Sequence, residues 1–88
     1  MDINVWLHGR LAELAATKRV VHLPEGASLG DLIDWLSKEY GAELGREIER
    51  SDENLITLNG NYCKLPTDRG KRLRNGDVVA FAPIIAGG

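Results

Sequence analysis

Three things are scarce in this sequence. It holds one cysteine, Cys63, and two widely separated histidines, His8 and His22. A single thiol closes no intrachain disulfide and cannot hold an iron–sulfur cluster. Cys63, His8 and His22 together make no recognisable metal-ligand spacing, so no metal is expected. Long apolar runs are missing as well. No stretch approaches the roughly 18 residues of a membrane span, and no signal-peptide pattern opens the chain; a cytoplasmic protein that does not enter the membrane is expected. A strong excess of one charge is also absent. The formal net charge of -2 argues against a nucleic-acid binder, which carries a markedly basic domain.

What is present is ordinary globular material: 88 residues, 43% hydrophobic and 27% charged, enough for one small domain. A chain of this size buries only about 60–65% of its unfolded surface, which leaves no room for a deep cleft of its own. No self-contained catalytic pocket is therefore expected. The charge is uneven along the chain. Bases gather at Lys64, Arg69, Lys71, Arg72 and Arg74 against the single acid Asp68. That cluster reads either as a solvated loop or as a docking patch for an acidic partner.

Hydrophobic periodicity gives the elements. Ile3, Val5 and Leu7 alternate with Asn4, Trp6 and His8, the period-2 pattern of a half-buried strand. After Gly9, residues 11–16 read as one or two helical turns or a compact loop. Residues 19–23 form a second strand, stopped by Pro24-Glu25-Gly26. Ser28 is a natural N-cap with Asp31 three residues on, and Leu29, Leu32, Ile33, Leu36 and Tyr40 make one apolar helical stripe ending at Gly41. Trp35 lies off that stripe and covers an edge. Residues 42–49 suggest a second short helix. Residues 54–58 and 61–65 are strands joined by Asn59-Gly60, a strong hairpin signal, and residues 78–82 form the last strand, stopped by Pro83.

Two strands, a helix and three more strands imply an α+β domain with a mixed five-stranded sheet packed on one main helix, strands 1 and 5 being central and parallel. That arrangement is the β-grasp, or ubiquitin-like roll. The domain is expected over residues 1–83, with residues 84–88 as a flexible Gly-Gly tail.

The tail offers the chemistry that the body lacks. Glycine has no Cβ, so a chain ending Gly87-Gly88 can thread a narrow active site in another protein. A carboxylate is a poor acyl donor, but a mixed anhydride with AMP is a good one, and a sulfur nucleophile can displace AMP from it to leave a thiocarboxylate.

Several segments, taken in order, resemble the MoaD/ThiS family of ubiquitin-like sulfur carriers. They are the first strand running into Gly9-Arg10-Leu11-Ala12-Glu13-Leu14, then Leu23-Pro24-Glu25-Gly26-Ala27-Ser28-Leu29-Gly30-Asp31-Leu32, Leu58-Asn59-Gly60, Leu73-Arg74-Asn75-Gly76-Asp77-Val78-Val79 and Pro83-Ile84-Ile85-Ala86-Gly87-Gly88. The segment Arg10-Leu11-Ala12-Glu13-Leu14 resembles the insert of the molybdopterin synthase small subunit more than the shorter thiazole-pathway carriers. The resemblance implies that Gly88, preceded by Gly87, is adenylated and thiocarboxylated. It implies partners: a ubiquitin-activating-type adenylyltransferase that uses ATP, and a molybdopterin synthase large subunit or a thiazole synthase that receives the sulfur. The chain itself is expected to bind no cofactor and to be non-catalytic alone. A thiazole or other thiolation pathway, and a ubiquitin-like modifier, are the alternatives.

Partner contacts are expected from Trp6, His8 and Tyr62, side by side on the outward sheet face, and from Ala82, Pro83, Ile84, Ile85 and Ala86. Phe81 belongs to the same docking strand, although its alternation with Val79 points its side chain to the core. Cys63 is expected to be structural, and His8 and His22 are expected at the surface or a sheet edge.

Overall fold

A computed structural model describes residues 1–50 and 53–84. Its elements in chain order are β1 (Asp2–Leu7), α1 (Arg10–Leu14), β2 (Lys18–His22), α2 (Leu29–Tyr40), α3 (Ala42–Glu49), β3 (Asn54–Leu58), β4 (Asn61–Cys63) and β5 (Val78–Pro83). The strands form one sheet in the order β2-β1-β5-β3-β4. Only β1 and β5 run parallel; the remaining neighbours are antiparallel. The expected central parallel pair and mixed sheet are therefore present.

Alternation decides which face is covered. Ile3, Val5, Leu7, Val21, Ile56, Leu58, Val79 and Phe81 all point to one side and are buried. The covering layer is α2, through Leu29, Leu32, Ile33 and Leu36, together with α3, through Leu44 and Ile48. α2 is the expected main helix, and the short helix expected over 42–49 is α3, which adds two fully buried side chains to the layer. Trp35 is only partly buried and edges the core, as expected. Tyr40 accepts a hydrogen bond at its hydroxyl from Arg19 Nη1 at 2.8 Å, and the Arg19 guanidinium lies 5.0 Å from the Trp35 ring.

Helix α2 starts on a complete capping box. The Ser28 hydroxyl accepts from the Asp31 N–H, and the Asp31 carboxylate accepts from the Ser28 N–H at 2.9 Å. Two further N–H groups at this end, those of Leu29 and Gly30, donate to the carbonyls of Lys71 and Arg69, each at 2.8 Å. The basic loop therefore closes the helix N-terminus, a contact across some forty residues of sequence. The β3–β4 turn has positive φ at both central residues, 51° at Asn59 and 84° at Gly60, which is the hairpin conformation that Asn-Gly favours.

The bounds of β2, β4 and β5 differ from the sequence reading. β5 takes in Pro83, expected as its stop, opposite Asn54. β2 begins one residue earlier and ends at His22. β4 stops at Cys63 instead of continuing to Leu65; past it the chain turns, the Lys64 N–H donating to the Asp68 carboxylate at 2.7 Å and the Asp68 N–H to the Lys64 carbonyl. Among the described residues, no helix is long and apolar enough to cross a membrane.

Candidate functional site

The uncovered sheet face follows from the same alternation. The pairings Trp6↔Lys18, Trp6↔Ala80, Thr57↔Ala80 and Thr57↔Tyr62 place Lys18, Trp6, Ala80, Thr57 and Tyr62 in one row across all five strands. Trp6 and Tyr62, 40% and 56% exposed, therefore share a face but do not touch. Three strand spacings separate them, about 14 Å. The expected side-by-side cluster of Trp6, His8 and Tyr62 is corrected accordingly: β5 and β3 lie between the two aromatics. Lys18 Nζ sits 4.3 Å from the Trp6 ring centre. Val20, Val78, Leu55 and Ala82 flank this row, so the face is broadly apolar. A face of that kind is suited to a protein partner. His8 is exposed beyond the end of β1, where its N–H donates to the Phe81 carbonyl.

At the end of β5 the chain leaves the sheet. Phe81 is fully buried, so its side chain cannot touch a partner; its place among the contact residues is corrected, and it serves the site by anchoring the strand. Ala82 and Pro83 are half-buried, and Ile84 is exposed. Gly9 lies against this exit with φ +58°, and a Cβ there would come within 2.9 Å of Pro83 Cγ. Only glycine meets both demands. The Ile84 N–H still donates to the Glu53 carbonyl at 2.8 Å, so pairing extends one residue past Pro83. Ile85, Ala86, Gly87 and Gly88 lie outside the described residues.

A small cleft beside the exit is lined by Arg10, Leu11, Glu47, Arg50, Asn54 and Ile84, among others. Arg10 reaches Glu43 and Glu47, and Arg50 reaches Glu47 and Glu53, at 3.7–3.9 Å. Asn54 is the one buried polar residue among those described. Its side chain donates to the carbonyls of Glu47 and Arg50. The sequence reading missed this group. The available signal was a polar residue on the inward parity of Ile56 and Leu58.

The basic cluster divides. Arg69 pairs with Asp34 and Glu49, and Arg72 donates to the Gly26 carbonyl at 3.0 Å. Together with the helix-closing carbonyls, these contacts give the loop a structural task. Cys63 is buried, and burial is the main cause that pushes its thiol pKa up, away from the thiolate that sulfur chemistry requires. His22 pairs with Asp2 at the β2 edge. Among the described residues, no group of three or more His, Cys, Asp or Glu side chains could hold a metal.

A mixed sheet of this order, with helices on one face and an apolar opposite face, defines a ubiquitin-like β-grasp protein. The sequence model of the ThiS family matches residues 5–88, and the chain belongs to that family. Solved structures agree. SAMP1 from Haloferax volcanii is 23% identical, with a TM-score of 0.80 and full coverage of both chains. A Pyrococcus furiosus protein described as molybdopterin converting factor subunit 1 is 28% identical, with a TM-score of 0.77, covering 97% of this chain and 99% of its own. The complex of subunits 1 and 2 of the molybdopterin-converting factor from Helicobacter pylori matches at 20% identity and a TM-score of 0.67, with full coverage of both chains. No curated protein matches by sequence.

Proposed function

We propose that this protein is a sulfur carrier that acts as the small subunit of a molybdopterin synthase, with Gly88 as its reactive residue. The observation that carries the reading is the family match, which runs through the body of the fold to Gly87-Gly88. The likeness to a molybdopterin converting factor subunit 1 supports this branch. A second subunit seated on a protein of the same fold supports a partner enzyme for this one.

The chemistry balances as follows. A Gly88 carboxylate oxygen attacks the α-phosphorus of ATP and pyrophosphate leaves, within an adenylyltransferase of the ubiquitin-activating type. A sulfide-level nucleophile then attacks the acyl carbon and AMP leaves, giving the thiocarboxylate. Its sulfur attacks a carbon of the acceptor bound by the large subunit as the acceptor's own leaving group departs; water then attacks the acyl carbon and breaks its bond to sulfur, restoring the carboxylate and leaving a thiol on the acceptor. The apolar face with Trp6 and Tyr62, and the exit residues Ala82 to Ala86, meet the partners, while His8 borders them. ATP is consumed by the activating enzyme, and the setting is the cytoplasm.

The branch is tested by mixing thiocarboxylated protein with a molybdopterin synthase large subunit and, separately, with a thiazole synthase, each with its precursor. Sulfur transfer with the first alone is expected; transfer with the second alone would move the protein to the thiazole pathway. The fold likeness to SAMP1, a small archaeal modifier protein, supports a second reading as a protein modifier. Isopeptide-linked adducts on target lysines, seen by blotting, distinguish that reading.

A further inference from the structure

We propose that Asn54 is a positioning residue for the tail: it ties the end of α3 to the point where the chain leaves the sheet, and so sets where Gly88 is presented. The proposal rests on the reading of Gly88 as the reactive residue. Asn54 holds an inward position of β3 that its neighbours of the same parity, Ile56 and Leu58, fill with apolar side chains. A buried amide there is costly unless its donors are used. Both amide hydrogens have a partner, one in the Glu47 carbonyl and the other in the Arg50 carbonyl at 3.1 Å. Both carbonyls lie at the C-terminal end of α3, and each also accepts one backbone N–H, Glu47 from Arg50 and Arg50 from Glu53.

The same residue pairs through its backbone with Pro83. Its neighbour Glu53 accepts from the Ile84 N–H, and the Glu53 N–H donates to the Arg50 carbonyl at 2.9 Å. Helix end, strand start and tail root therefore share one set of hydrogen bonds, with Asn54 at the centre. The ion pairs of Arg10 and Arg50 are long, 3.7–3.9 Å, and both arginines are exposed, so the pairs contribute little to holding it. The chain to Gly88 starts from this root, so a fixed root fixes the point from which Gly88 is offered. A held root lowers the ordering cost of entering a partner's active site. Without the amide donors, the Arg50 carbonyl that Asn54 and Glu53 share is held less firmly, and the Glu53–Ile84 bond weakens with it.

The test uses Asn54→Asp, which keeps the volume but turns an acceptor toward two carbonyls, and Asn54→Ala. Ile48→Val is the control, since it weakens α3 packing without touching the root. ATP–pyrophosphate exchange is followed with the ubiquitin-activating-type enzyme of the same organism, below every variant's melting temperature. Both Asn54 variants are expected to raise KM about tenfold, the factor given by ~1.4 kcal/mol of lost pre-ordering, with kcat unchanged. Ile48→Val keeps the wild-type KM. For Asn54→Asp, KM returns toward wild type as pH falls, because the protonated acid regains a donor; for Asn54→Ala it does not. In amide exchange, Ile84 is expected to open faster in both Asn54 variants while Val5 stays protected. Wild-type KM in the Asn54 variants, or an equal rise in Ile48→Val, overturns the proposal. If the wild-type protein supports no exchange at all, the Gly88 reading fails instead. Ile84 amide exchange then decides the tether by itself, and unchanged protection in the Asn54 variants overturns it.

Discussion

Gly9 and Cys63 show how much a single position fixes. Gly9 combines φ +58° with contact against Pro83. Gly9→Ala is expected to lower stability by about 1–3 kcal/mol in urea titration, and a change inside experimental error would contradict the contact. Cys63 has its thiol pKa raised above the ordinary 9.0, chiefly by burial, so the folded protein binds the proton more tightly than the unfolded chain. The stability this gives is complete below the ordinary thiol pKa and is lost as pH rises through the raised value. The fall in melting temperature at alkaline pH is expected to be shallower in Cys63→Ala than in the wild-type protein. Parallel curves would remove Cys63 as a cause. Residue signals in the sequence were good where alternation decides, as for Cys63 and Phe81 facing the core. They missed Asn54, whose meaning depends on carbonyls of α3 that only the fold brings to it.

At the scale of elements, what could be read was what is local. The Ser28–Asp31 box, the Asn59-Gly60 turn, the apolar stripe of α2 and the short helix over 42–49 all formed where sequence spacing placed them. Ser28→Ala is expected to cost about 1 kcal/mol, measured by thermal or urea unfolding, because the hydroxyl satisfies one helix N–H while the loop carbonyls satisfy two others. A cost near zero would show that the loop alone closes the helix. What could not be read was long-range. The basic loop read as a solvated loop or, less favoured, a patch for a partner, and its carbonyl contacts with Leu29 and Gly30 depend on packing between distant segments. The early end of β4 was missed too; there the Lys64 N–H donates to the Asp68 carboxylate in a turn.

For the whole molecule, the sheet order and its parallel centre were legible because five strands and a crossover helix leave few ways to cover one face. The spread of the exposed aromatics was not, since lateral order places β5 and β3 between Trp6 and Tyr62. Their separation leaves the face with two exposed aromatics on different strands, which the proposed function takes as partner contacts. Trp6→Ala combined with Tyr62→Ala is expected to weaken large-subunit binding at least about tenfold in calorimetry, with the melting temperature nearly unchanged. Full binding by the double variant would move the interface elsewhere. The central claim is that the fold presents an acyl group at Gly88 and leaves catalysis to partners. Intact-mass spectrometry, after incubation with the activating enzyme, ATP and a sulfide source, tests it most directly. The account predicts the gain of one sulfur in place of one oxygen, confined to Gly88 and absent when Gly88 is deleted. An unchanged mass, under conditions in which the same enzyme charges a known carrier, would contradict it.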